Sequence, residues 1–484
     1  MKHLVDRIQS LATLQPKAEA IICAGHTLSY EALANRLSQV AIELQTLGFQ
    51  RLAIFAGNDL DWALVDLAAA SLGIPVVPIP LFFSEQQRSH LLESSGVDGI
   101  YCGAGTLSLP GEETITTLLP GCYRRLAVTR TAEQMSFSKI TYTSGSTGTP
   151  KGACLSGDTL LTIVASLAAA LDDEDLQRHL CLLPFATLLE NVAGVYLPLW
   201  MGRSLVIDDT ERLGLLSNHA FDPVCFSEAV ARYCIESVIL LPQMLKLIVE
   251  MDDISALSTL RFIAVGGGKV PPELLGRAIA LGLPVYEGYG LTECGSCVAL
   301  NTPGSVRVGS VGKPLTHADV RISPAGEVLV TGAAMNGYLD HEASSEQIAT
   351  GDAGFIDPDG YLYITGRIKN TIISSYGRNI SPEWVESIFL AHPAIQQIAV
   401  FGEGEPALSA VIVVNPQISD SKLTGIVSSL NEGLPDYAQV RSWKRSAVPF
   451  SPMQGTLTSN GKLCRSAIAA HFFQRSTKDE KVSA

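Results

Sequence analysis

Charge is scarce in this 484-residue chain: 17% of its residues are Asp, Glu, Lys or Arg, against 47% hydrophobic, which marks a globular, well-buried protein. Basic residues are the scarcer sign. The 34 Lys and Arg stand against 48 Asp and Glu, a net charge of −14, which argues against nucleic acid or an anionic membrane surface as the main partner. The opening run Met1-Lys2-His3-Leu4-Val5-Asp6-Arg7 has no apolar signal core. Apolar runs are also short. Leu64 to Ile79 is broken by Asp66 and two prolines, and Leu160 to Leu171 cannot span a bilayer. A cytoplasmic protein without an integral membrane segment is therefore expected. The ten cysteines show no metal-site spacing beyond a single C-x-x-C, Cys294-Gly295-Ser296-Cys297. Without a second pair or a histidine partner, that pair reads as two small buried residues. Internal repeats and low-complexity segments are absent. The length exceeds one ordinary core, so two or more domains are expected.

What is present centres on Tyr142-Thr143-Ser144-Gly145-Ser146-Thr147-Gly148-Thr149-Pro150-Lys151-Gly152. Glycines let backbone N–H groups crowd around phosphate oxygens, because they reach positive φ without steric cost. Thr143, Ser144, Ser146, Thr147 and Thr149 add hydroxyl donors, and Lys151 adds a charge. Successive N–H groups in such a loop form an anion-binding concavity. Lys139–Thr143 reads as a strand and Asp158 to Leu171 as an apolar helix, which predicts a strand-to-helix turn around the loop. The Walker pattern G-x-x-x-x-G-K-[ST] fails, since Pro150 precedes the lysine and no Ser or Thr follows it. Upstream, residues 27–80 alternate strand and helix signals, with Ser29 or Glu31 opening the first helix. That alternation indicates an α/β domain with a largely parallel sheet.

The loop as written resembles the signature of the acyl-adenylate-forming superfamily, which includes acyl-CoA synthetases, luciferases and the adenylation domains of peptide synthetases. Companion segments follow in the family's order over roughly residues 25–470. Phe262–Gly268 resembles an apolar strand ending in a glycine run, where Gly267 would let a flat ligand approach the backbone. Tyr286-Glu287-Gly288-Tyr289-Gly290-Leu291-Thr292-Glu293 is similar to the YGxTE motif. The resemblance implies adenine stacking on Tyr289 beside Gly288, an α-phosphate contact from Thr292, and Mg²⁺ held by Glu293. Gly326–Gly332 with Gly337-Tyr338-Leu339 resembles a small β segment of the family. Thr350-Gly351-Asp352 resembles the TGD motif, with Asp352 on the ribose hydroxyls. Arg367 would reach ribose or phosphate, and Lys369 falls at the hinge position. Lys462, within Leu457–Arg465, stands where the family places its catalytic lysine.

The implied fold is α/β: a large N-terminal domain (1–368) of mainly parallel sheets with flanking helices and a small β subdomain, then a small mobile α+β domain (369–484). The implied reaction is ATP-dependent activation of a carboxylic acid to acyl-AMP, followed by thioester formation with CoA or with the phosphopantetheine of an acyl carrier protein. Amino-acid-activating members carry an Asp where this chain has Ala186, and a buried ammonium without a counter-charge is costly. An acid without an amino group is therefore expected. Pro184 and Glu190 resemble the fatty acyl-CoA synthetases, so a medium- or long-chain fatty acid is preferred, with aryl acids as the alternative. Thr187 stands near the family's gating histidine, and Tyr376-Gly377 replaces a glycine pair at the pantetheine tunnel. The second departure leaves open an enzyme that releases acyl-AMP. A catalytically inactive nucleotide-binding partner protein would be expected to lose Lys462, Glu293 or the loop hydroxyls; all are present.

Overall fold

The computed structural model describes residues 1–104, 113–126, 137–143, 150–216, 220–339, 341–342, 347–458 and 461–473. Two nine-stranded sheets carry most of the chain up to Glu342. In the first, Glu19–Cys23, Ser204–Ile207, Arg178–Leu180, Ser237–Leu240, Phe262–Val265 and Val285–Tyr289 run parallel, with antiparallel strands at both edges. In the second, Lys139–Thr143, Val76–Pro78, Leu52–Phe55 and Gly99–Cys102 are parallel. Strands such as Leu52–Phe55 and Ser204–Ile207 are buried along their whole length. Continuous rather than alternating apolarity is what a sheet covered on both faces requires.

Helices Tyr30–Leu47, Leu60–Leu72 and Gly157–Ala170 fill a core shared by both sheets. Pro223–Tyr233, Pro242–Val249 and Pro272–Ala280 cover the outer face of the first sheet. Ser29 is the N-cap of its helix, its side chain accepting from the Ala32 amide at 3.2 Å. Inside the shared core, Lys139 Nζ lies 2.9 Å from Asp66 Oδ1 and donates to Tyr196 Oη at 2.6 Å. This buried ion pair ties the strand that leads into the hydroxyl loop to the helix Leu60–Leu72.

A four-stranded antiparallel sheet follows, Ala318–Ile322, Glu327–Gly332, Ile348–Ile356 and Leu362–Arg367, with its own small core around Val328 and Leu362. The smaller C-terminal domain packs Pro382–Leu390 and Asp420–Glu432 on the sheet Ile395–Phe401, Leu408–Val414, Val440–Arg445. Ser381 caps its first helix, and Pro382 takes the first helical position.

One local expectation is corrected. Lys151–Leu155 is a strand antiparallel to Lys139–Thr143, with Thr143 directly opposite Lys151. Gly152 through Leu155 are buried, so this apolar run joins the sheet, and the helix begins only after Ser156 accepts from the Thr159 amide. The hydroxyl loop therefore joins two antiparallel strands instead of leading straight into a helix. Cys294 and Cys297 are buried free thiols. No helix among the described residues is long and apolar enough to cross a membrane.

Candidate active site

The predicted site residues that the structure describes converge on one cleft of about 3170 Å³. The first sheet supplies its floor. Where Phe262–Val265 and Val285–Tyr289 end, Gly267 adopts φ +79° and a Cβ there would lie 3.1 Å from Leu241 Cδ2. A Cβ on Gly288 would lie 3.1 Å from Leu300 Cδ1 and 3.4 Å from the Ala299 carbonyl. Both glycines keep the backbone open at the strand ends, where parallel sheets place ligands.

Tyr289 Oη donates to Asp352 Oδ2 at 2.6 Å, and Arg367 Nε lies 2.8 Å from Asp352 Oδ1. Arg367 Nη1 also donates to the Thr350 carbonyl at 2.9 Å. Burial pushes the Asp352 carboxyl up, while Arg367 and Tyr289 pull it back. This triad joins the end of the first sheet to the four-stranded sheet, with Asp352 on Ile348–Ile356 paired directly to Arg367 on Leu362–Arg367.

Thr292 and Glu293 lie in the short 3-10 turn Thr292–Cys294. Glu293 Oε1 accepts from Tyr338 Oη at 2.6 Å, and Lys151 Nζ sits 5.6 Å from the centroid of that tyrosine ring. Thr143 and Lys151 thus hold the two rims of the hydroxyl loop, while Ser144, Gly145, Ser146, Thr147, Gly148 and Thr149 lie outside the described residues. Lys369 sits in the 3-10 turn Ile368–Asn370, directly after the strand Leu362–Arg367.

From the smaller domain, Lys462 projects into the same cleft. Its turn is closed by the Thr458 amide donating to the Lys462 carbonyl at 2.7 Å. Although its side chain reaches solvent, desolvation in the cleft lowers its pKa, as does Arg367, whereas Glu293 and Asp352 oppose that shift. Lys462 is thus within electrostatic reach of two carboxylates, Glu293 and Asp352, and of two cations, Arg367 and Lys369.

A model of AMP-binding enzymes matches residues 8–339, and one of the AMP-binding enzyme C-terminal domain matches residues 369–475. The chain belongs to the AMP-binding enzyme family. It is 32% identical over 241 residues to the long-chain-fatty-acid–CoA ligase FadD15 of Mycobacterium bovis, covering 43% of this chain and 40% of that one. It is 27% identical to the feruloyl-CoA synthase of an Amycolatopsis species, over 95% of this chain and 97% of that one. The o-succinylbenzoate CoA synthetase of Bacillus subtilis, solved with the acyl-adenylate OSB-AMP, shares the fold with a TM-score of 0.77 at 23% identity, covering 96% and 97% of the two chains. That synthetase has also been solved with ATP and a magnesium ion.

In this AMP-binding enzyme one part of the cleft wall carries the apolar residues Leu167, Leu171, Leu197, Ile239, Phe262 and Ala264, with Arg178, His179 and Arg203 also in the lining. Ala186 is buried, and Thr187 donates to the Pro184 carbonyl at 2.6 Å at the cleft wall. Glu190 is fully buried in the π-helical segment Glu190–Tyr196, and burial pushes its carboxyl well above the usual range. Tyr376 stands 74% exposed on a turn. Sequence reasoning missed two residues. Tyr338 carried no role of its own, although it orients Glu293. Glu287 lines the cleft with Oε2 unpaired, and burial pushes its carboxyl up to about 8 against the pull of Lys269. Glu287 sits two residues before Tyr289, so the motif itself was the available signal.

Proposed function

We propose that this chain is an AMP-forming acid–thiol ligase acting on an apolar carboxylic acid. The observation that carries the reading is that Lys462, Glu293 and the ion pair of Asp352 with Arg367 all line one cleft. In the first step a carboxylate oxygen attacks the α-phosphorus of ATP in line, forming the acyl–phosphate bond of acyl-AMP as pyrophosphate leaves. In the second, a thiolate attacks the acyl carbonyl and AMP departs. Catalysis of such displacements is mostly positioning and charge neutralisation.

Asp352 would accept the ribose hydroxyls, exchanging part of its bonding with Tyr289, whose ring would face adenine across Gly267 and Gly288. Arg367 would reach ribose or phosphate. Thr143, Lys151 and the hydroxyls of the loop would hold the β- and γ-phosphates, and Thr292 the α-phosphate. Lys462 would neutralise the charge gathering where carboxylate and α-phosphate meet. Among the described residues no cluster of three or more His, Cys, Asp or Glu could hold a metal. A lone carboxylate oriented by a tyrosine fits magnesium, which takes most of its ligands from phosphate and water. Glu293 would hold that ion, which supplies charge neutralisation on the phosphates when bound.

The thiol is read as CoA, because the relatives named above are CoA ligases. For the acid, Ala186 disfavours an amino acid, and the resemblance around Pro184 and Glu190 supports a medium- or long-chain fatty acid. An aryl acid is the second reading, favoured by a feruloyl-CoA synthase aligning along nearly the whole chain. The small domain would turn about Lys369 between the two steps, withdrawing Lys462. Replacing Lys462 by Ala tests the central role: acid-dependent pyrophosphate release should fall by about two orders of magnitude or more while ATP still binds. Unchanged turnover would remove Lys462 from the chemistry.

A further inference from the structure

Lys246, on the helix Pro242–Val249 of the large domain, reaches across to the small one. Its Nζ donates to the carbonyls of Leu390 at 3.0 Å, His392 at 3.3 Å and Ile395 at 2.6 Å. Leu390 is the last residue of the helix Pro382–Leu390, so its carbonyl lacks an intrahelical partner. A cation there also meets the negative end of the helix dipole. An ammonium offers three donors around one point, and here three carbonyls converge on it.

The same helix is held at its other end and coupled to the catalytic turn. A Cβ on Gly366 would run into Ser381 Oγ, so the helix start packs tightly against the strand Leu362–Arg367. Within the helix, Glu386 accepts from Arg465 Nη2 at 2.8 Å. Arg465 lies three residues after Lys462. A continuous chain of contacts therefore runs from Lys246 through the helix and Arg465 to the turn that carries Lys462.

We propose that Lys246 is a positioning residue for the adenylate-forming step, latching the small domain in the orientation that brings Lys462 to the cleft it shares with Glu293 and Asp352. This rests on the ligase reading for its catalytic consequence, though not for the latch itself. Turning the small domain about Lys369 would pull Leu390, His392 and Ile395 away from Lys246. The latch therefore favours the first step and must open for the second. A ligand that differs in affinity for two states shifts their balance, and so does an intramolecular contact made in only one.

The test uses the full chain with Lys246→Met, which keeps length and loses the cation, and Lys246→Arg, which keeps charge with a planar head. Hydrogen–deuterium exchange of residues 382–395 and of the Lys462 turn reads the latch without catalysis. Pyrophosphate release reads the first half-reaction, and thioester formation from supplied acyl-AMP reads the second. Faster exchange in Lys246→Met is expected, with the first half-reaction slowed about tenfold or more, the second unchanged or faster, and Lys246→Arg in between. Unchanged exchange, or both half-reactions slowed equally, overturns the latch. If the parent chain activates no acid, the ligase reading fails by itself, while faster exchange in Lys246→Met still supports the latch and unaltered exchange still refutes it.

Discussion

Tyr338→Phe removes one oxygen from the site and little else. Tyr338 Oη donates to Glu293 Oε1 at 2.6 Å, whereas the ring that faces Lys151 Nζ at 5.6 Å remains in phenylalanine. A hydrogen bond to a charged group contributes about 1.5–3 kcal/mol. At about 1.36 kcal/mol per decade, that corresponds to roughly 10- to 150-fold in kcat/KM. Tyr338 is only half-buried, so the lower half of that range is expected. Partners that orient a metal-holding carboxylate commonly change metal affinity by about 10- to 100-fold when lost. The assay is acid-dependent pyrophosphate release measured across a magnesium titration. The half-saturating magnesium concentration should rise together with the fall in kcat/KM. If Tyr338→Phe leaves both unchanged, Tyr338 does not orient Glu293 in the working enzyme, and the assignment of Glu293 to the ion weakens with it.

Two further substitutions probe groups buried in the fold. Asp66→Ala strands the Lys139 ammonium, which is 2% exposed, and leaving one buried charge unpaired costs about 3–5 kcal/mol; denaturant unfolding showing a loss below about 1 kcal/mol would contradict the buried ion pair. Glu287 has a folded-state pKa of about 8 against an ordinary 4.5, so its contribution is full below 4.5 and is lost as pH rises toward 8. Glu287→Gln should flatten that fall, and melting curves with the same pH slope in both proteins would show that Glu287 is not the group responsible.

Legibility in the sequence followed how local each signal was. Ser29 announced its helix because a cap acts within three residues, and the uninterrupted apolar run Phe262–Val265 announced its strand. The strand Lys151–Leu155 was hidden because it is a short apolar run set directly between the hydroxyl loop and the helix cap Ser156. Its place depends on pairing with Lys139–Thr143, which no periodicity encodes. The residues expected at the nucleotide came from motif order, and those the structure describes line one cleft. Their supports were not legible that way: Tyr338 meets Glu293 across 45 positions and Lys246 meets Leu390 across 144. Neither has a local pattern, since a lone tyrosine or lysine on a half-buried surface looks like any other. The identity of the acid resisted for another reason. The apolar residues of the cleft wall come from several helices and strands, and such a wall accepts an alkyl chain and an aromatic ring alike.

The most direct test of the account is mass spectrometry of the products formed from ATP, Mg²⁺ and a mixture of fatty, aryl and amino acids, with and without CoA. The account predicts an acid-dependent acyl-AMP without CoA and the matching acyl-CoA with it, from a fatty or aryl acid and from no amino acid. AMP formation driven by an amino acid, or by no acid in the mixture, would contradict it.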